Sequence, residues 1–474
     1  MDERVKWTAR EAVARLGRGE VSPLELIDVA ERRIAETDAA LNALPTRCFD
    51  RARDKAKALM KTPPSERPPG FLHGLPVAIK DLNPVAGVRM TMGSPIYADL
   101  VPERSDILVE QLEANGAVVV AKSNTPEFGA GAQTFNEVFG TTTNPWNTAL
   151  TPGGSSGGAA SALAAGQVWL ASGSDMGGSL RIPASFTGTV GLRPSPGRVA
   201  SGPTPFCFGT LAVDGPMARN VGDVALMFDA MVGWHPEDPI SLPAPERPFI
   251  EAVERPVAPR RVAYSPDLGI SPIDPEVAEI CAAAARRFAG LGIAVEEAGP
   301  DLSNVVECFD ILRAVSFAAS KGPLLAEHRD KMKPEVIWNI EAGLALGAAD
   351  IGRAEALRGA IYARTAAFFR DYDLLLCPTV ATPPFDHRIR YLDEIEGHRF
   401  DNYAGWLIMT FALTVTACPC ISVPCGMTRD GRPVGLQILA PLRGEAALLS
   451  AAALFEAECG LADALPIDPR AGTP

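Results

Sequence analysis

Two hydrophobic periods divide this chain. Near its start Leu24, Ile27, Ala30 and Ile34 recur at helical spacing. They follow Ser22-Pro23-Leu24-Glu25, a capping box with proline at the first helical position. Segment 1–61 therefore reads as helical. Residues 62–70 (T-P-P-S-E-R-P-P-G) break the period and read as a proline-rich linker. Beyond it, short continuous apolar runs at 76–80 (P-V-A-I-K) and 117–121 (A-V-V-V-A) predict buried strands. A capped helix over 105–115, stopped by Gly116, separates them.

The same alternation continues. A helix is expected over 157–165, a short strand over 168–171 and a helix over 223–232. Residues 236–259 form a proline-rich insertion. Strands at 261–264 and 293–296 flank a helix near 275–291, and 302–370 is helical almost throughout. Strand patterns at 374–377, 420–423 and 434–439 then return the chain to a sheet. We read 1–474 as one large α/β domain, a mixed central sheet flanked by helices with added helical segments. Its α/β core spans 71–301, the helical layer 302–370, and the return to the core 371–474.

Composition narrows the function. The 474 residues carry 47% hydrophobic and 21% charged side chains, as in a globular enzyme. A net charge of −13 argues against direct binding to nucleic acid or to an anionic membrane. The opening Met1-Asp2-Glu3-Arg4-Val5-Lys6 has no apolar leader, and no run approaches a membrane span, so a cytoplasmic location is expected. Nine scattered cysteines suggest neither a disulfide framework nor a metal site.

The chemistry concentrates in 153–183, which holds two Gly/Ser clusters, G-G-S-S-G-G at 153–158 and G-S-D-M-G-G-S at 173–179. Serine hydroxyls attack carbonyls once a base takes their proton, and glycine-rich backbone can aim N–H groups at an oxyanion. Gly153–Gly157 matches the G-x-S-x-G elbow, but the segment before it is turn-rich rather than a strand, and no histidine stands out as its base. Lys80, ending an apolar run, is the better candidate base, because burial lowers the pKa of a lysine. The alternatives are a Lys80 that snorkels beside Asp81 and a second cluster that is only a tight turn. Phosphate and dinucleotide fingerprints are absent.

Lys80 in its run, G-G-S-S-G-G with Ser155, and G-S-D-M-G-G-S-L-R-I-P with Ser179 together resemble the amidase signature family. Blocks at 121–129, 144–146, 191–198, 215–219, 372–379 and 431–438 extend the resemblance over most of the chain. The resemblance implies Ser179 as nucleophile, Ser155 as bridging serine on a cis peptide bond, and Lys80 as base. It also implies an oxyanion hole from the amides of Met176, Gly177, Gly178 and Ser179, with no cofactor and no metal. Gly131, Ala132 and Gln133 match the family loop that borders the substrate carbonyl. Thr416–Cys420 departs from the family pattern, which has a glycine before the proline. Phe206, Cys207, Phe208, Trp338 and Trp406 are candidates to line an acyl pocket, with ordinary core packing as the alternative for each.

Two functions follow. One is a free-standing hydrolase of a small-molecule carboxylic amide, with a homodimer left open. The other is the glutaminase (A) subunit of a tRNA-dependent amidotransferase, whose partners would carry the tRNA contacts. An inactive binding module is disfavoured because all three catalytic positions are filled.

Overall fold

Short apolar runs separated by helices build one sheet. The computed structural model describes residues 1–63, 67–68, 70–204, 206–461 and 464–472, so part of the expected 62–70 linker lies outside the described residues. The strands are β1 (Thr46–Arg47), β2 (Pro76–Lys80), β3 (Val118–Ser123), β4 (Leu170–Asp175), β5 (Val190–Arg193) and β6 (Val213–Ala218). They continue with β7 (Arg261–Tyr264), β8 (Ala294–Glu297), β9 (Leu374–Pro378), β10 (Cys420–Met427) and β11 (Pro433–Leu439). Across the eleven-stranded sheet their order is β1-β3-β2-β4-β6-β5-β10-β11-β9-β7-β8.

The sheet is mixed. β2 runs parallel to β3 and β4, and β7 parallel to β8 and β9. The strands between them, from β4 through β6, β5, β10 and β11 to β9, pair antiparallel. All five residues of β2 and all six of β3 are buried, as continuous apolar runs covered on both faces should be. Val77 and Ile79 pack into one hydrophobic cluster and Ala78 into another, the two-residue alternation of a strand between two helical layers.

Helices cover both faces. The N-terminal segment forms α1 (Ala9–Gly17), α2 (Pro23–Leu41) and α3 (Phe49–Leu59). The capping box is present at α2, where Ser22 Oγ accepts from Glu25 N and Glu25 accepts from Ser22 N. α4 (Ile107–Ala114) is capped by Asp106, and α5 (Gly157–Ala164) is buried at every residue. α6 (Arg181–Thr187), α7 (Val221–Met231) and α9 (Pro275–Gly290) pack on the sheet, and the proline-rich insertion contributes the short α8 (Phe249–Glu254). The helical layer is α10 (Val305–His328), α11 (Pro334–Leu344) and α12 (Ala348–Phe368), and α13 (Ile408–Val415) and α14 (Glu445–Cys459) complete the chain. Among the described residues no helix is long and apolar enough to cross a membrane.

The sequence pattern misses β1, β5, β6, α6, α8, α13 and α14. β5 and β6 carry Gly191 and Gly215-Pro216 in their interiors, residues that disfavour strands, and only their central place in the sheet overrides this. α13 is apolar on all sides, so it shows no helical stripe.

Candidate active site

Parallel strands β2 and β4 end at the same edge of the sheet, the usual place for a site in α/β folds. Lys80 is the last residue of β2 and is fully buried. Its Nζ lies 2.7 Å from Ser155 Oγ, 2.9 Å from Ser156 Oγ and 3.0 Å from Ser174 Oγ. Its backbone N–H donates to Ser172 Oγ at 3.1 Å. Burial pulls the Lys80 pKa down to about 7, against the upward pull of the Asp214 and Asp175 carboxylates. An ammonium would donate to all three hydroxyls, whereas a neutral amine has two donors and one lone pair. In the neutral form one of the serines can therefore donate its proton to Nζ.

The glycines around Ser155 allow close backbone approach. A Cβ on Gly154 would sit 2.9 Å from the Ala132 carbonyl carbon and from Gln133 N. A Cβ on Gly158 would sit 2.4 Å from Asn124 N, so only glycine lets α5 seat against the residues that follow β3. The Gly154–Ser155 bond is cis. Ser156 N donates to the Ser179 carbonyl at 3.3 Å, which joins the two Gly/Ser clusters backbone to backbone.

Ser179 lies between the end of β4 and the start of α6 and is half-buried, as are Met176 and Gly177. A buried charge network fixes this turn. Asp175 accepts from Gly178 N at 3.0 Å, Leu180 N at 3.1 Å, and Arg181 Nε and Nη2 at 3.0 and 2.9 Å. Arg193 Nη1 approaches the same carboxylate at 3.3 Å. Burial alone would raise the Asp175 carboxyl, but the two guanidiniums outweigh it and hold it well below the usual carboxylate range. Arg181 also donates to Thr410 O, Gln437 Oε1 and Thr414 Oγ1 at 2.9, 2.6 and 2.8 Å. Thr410 Oγ1 in turn donates to the Gly177 carbonyl at 2.6 Å. The Gly178 amide is thus committed to Asp175. Those of Met176, Gly177 and Ser179 have no acceptor among the described residues.

A cavity of about 460 Å³ opens beside this network, bordered by Ser174, Asp214, Asp106, Met92, Phe206 and Cys207. The other expected pocket residues lie elsewhere. Gly131, Ala132 and Gln133 border a separate space of about 10 Å³ with Lys333, Arg390 and Trp406, and Gln133 Nε2 donates to the Ile389 carbonyl. Trp406 is buried and stacks on Phe186. Trp338 is 41% exposed and meets Tyr403 edge-on, and Phe208 is 75% exposed.

Sequence reasoning did not single out Ser156, Ser174, Asp175, Arg181, Arg193 or Asp214. The first four stand inside the quoted Gly/Ser stretch. A buried Asp175 with an arginine six residues on is a readable ion-pair signal. Asp214 comes from β6, far along the chain, and nothing local marks it.

Comparison with known proteins identifies relatives along nearly the whole chain. The Amidase family model matches residues 25–449. An acylamidase of Rhodococcus erythropolis is 37% identical over 474 residues, covering 98% of this chain and 98% of that protein. A glutamyl-tRNA(Gln) amidotransferase subunit from Thermus thermophilus is 37% identical over 481 residues, covering 94% of this chain and 96% of that protein. The crystal structure of a bacterial aryl acylamidase of the amidase signature family superposes with a TM-score of 0.90 at 30% identity, covering 99% of both chains.

Proposed function

The chain belongs to the amidase signature family and is an amide hydrolase, and we propose that Lys80, Ser155 and Ser179 carry its reaction as base, relay and nucleophile. One observation carries the reading: a fully buried lysine, lowered to about 7, lies 2.7 Å from the Ser155 hydroxyl. Neutral Lys80 takes a proton from Ser155 as Ser155 takes one from Ser179, and Ser179 Oγ attacks the amide carbon. The tetrahedral oxyanion rests on the amides of Met176, Gly177 and Ser179, which have no other acceptor among the described residues, while Gly178 N–H serves Asp175. The relayed protons pass to the leaving nitrogen as the C–N bond breaks, leaving an ester on Ser179. Water then cleaves that ester, giving acid and ammonia or amine.

The substrate in this reading is a small-molecule amide entering the 460 Å³ cavity, with Phe206 and Cys207 on its wall. The reading takes the enzyme to be cytoplasmic and free of nucleic-acid contacts, in keeping with the net charge of −13. The test is amine release across a panel of acyl amides by wild type, Lys80→Ala, Ser155→Ala and Ser179→Ala, with intact-mass detection of the acyl-enzyme. Each variant should lose at least about a thousandfold in kcat/KM, and the adduct should vanish in Ser179→Ala. Near-native turnover by Lys80→Ala or Ser179→Ala would overturn the assignment.

A further inference from the structure

Ser174 on β4 and Asp214 on β6 are direct partners across an antiparallel strand pair. Side chains of such partners leave the sheet on one face, with Cβ atoms about 4.5–5.5 Å apart. Ser174 Oγ accepts from Lys80 Nζ at 3.0 Å, and Ser174 and Asp214 border the same cavity. Asp214 therefore stands one side chain away from the Lys80 amine, on the wall that a substrate meets.

The other carboxylates near this lysine are already committed. Asp175 on β4 is held by Arg181 and Arg193 at 2.9 and 3.3 Å. Asp81, next in sequence, lies 3.5 Å from Lys122 Nζ and accepts from Thr91 N and Oγ1 at 3.0 and 2.7 Å. Asp214 has no cation partner among the described residues. Asn83 Nδ2 donates to it at 3.4 Å and also reaches Asp106 Oδ2, at the N-terminus of α4, at 3.3 Å.

We propose that Asp214 is a positioning residue for this enzyme, the counter-charge that sets how readily Lys80 holds its proton. The proposal rests on Lys80 being the base. Lys80 faces Asp175 from β4, Asp214 from β6, and the hydroxyls of Ser155 and Ser156 ahead of α5. Asp214 faces Lys80, Asp106 and Asn83, and Lys321 on α10 borders the same cavity with its Nζ over the Phe128 ring. Burial, then the nearby Asp106 carboxylate, push Asp214 up to about 7, beside a lysine brought down to about 7. Asp214 and Asp106 titrate as a pair, and the charge that Asp214 carries acts on Lys80. Ionised Asp214 favours the ammonium, and protonated Asp214 releases Lys80 to its neutral, basic form.

The experiment is kcat/KM against pH on one neutral amide, for wild type, Asp214→Asn and Asp106→Asn. Asp214→Asn removes the counter-charge, so the acid limb should move to lower pH by about one unit or more and follow a single ionisation. Asp106→Asn keeps a competent cap on α4 and lets Asp214 ionise at lower pH, so its acid limb should move to higher pH. Opposite shifts support the proposal. Acid limbs that coincide with wild type, or that move in the same direction, overturn it. If Asp214→Asn does not fold, Asp106→Asn decides alone: an upward shift supports the proposal and an unmoved limb overturns it. Failure of the underlying reading shows separately, as near-native activity in Lys80→Ala.

Discussion

Lys80 gives up the hydration of an exposed ammonium, a loss that suits it to the base role proposed for it near neutral pH while costing the folded state stability. The sign follows from its pKa, about 7 in the folded chain against an ordinary 10.5. Between those values the unfolded chain binds a proton that the folded chain lacks, so the Lys80 contribution to stability rises with pH. At pH 7 and below the burial cost is present in full. Lys80→Met removes this titration, although it also leaves three serine hydroxyls without their donor, a cost that does not depend on pH. The stability of Lys80→Met relative to wild type should therefore fall as pH rises from 7 to 10, by up to about 1.4 kcal/mol per unit. Urea unfolding of both proteins across that range measures it. A difference that does not vary with pH would mean that the folded state keeps Lys80 charged at neutral pH. The residues readable in sequence were those whose chemistry is local, such as Ser155 and Ser179 in glycine-rich clusters. Lys80 gained meaning only beside them, and Asp214 none at all, because its place at Ser174 is made by strand pairing between segments 40 residues apart.

Elements became legible in proportion to how far their own composition agreed with their place in the fold. β2 and β3 are apolar throughout and sit where continuous runs must sit, between two covered faces. β6 hides its strand behind Gly215-Pro216, and α13 hides its helix by having no polar face. The turn from α13 to β10 carries the departure from the family pattern noted at Thr416–Cys420. Ala417 there has φ 61°, in the left-handed region, with its N–H donating to the Thr414 carbonyl at 3.0 Å to close the helix. A left-handed L-residue costs about 1–2 kcal/mol, and glycine avoids that cost but gives back about 0.5–1 kcal/mol of chain entropy. Ala417→Gly should therefore stabilise the protein by about 0.5–1 kcal/mol and raise Tm by about 1–2 °C, with kcat/KM unchanged. A lowered Tm in calorimetry would show that the Ala417 methyl contributes more by packing than its backbone conformation costs.

At the scale of the whole molecule, the question is whether one chain holds a complete site. In the proposed mechanism the base comes from β2, the relay from the turn before α5, and the nucleophile from the turn after β4, whose Asp175–Arg181 pair is braced by Thr410, Thr414 and Gln437 near the far end of the sequence. The cavity draws its walls from the core at Ser174 and Asp214 and from the helical layer at Ser316 and Lys321. The Lys80 amine, the Ser155 hydroxyl and the Asp175–Arg181 pair each find hydrogen-bond partners within this one chain. The purified chain alone should then release amine from aryl and aliphatic acyl amides, with a rate per chain that does not depend on protein concentration. Stopped assays over a hundredfold dilution series, with Ser179→Ala as the blank, measure this. Ammonia release from glutamine that appears only when a second protein is added, with no turnover of simple amides by the chain alone, would instead align it with the amidotransferase subunit to which it is also 37% identical.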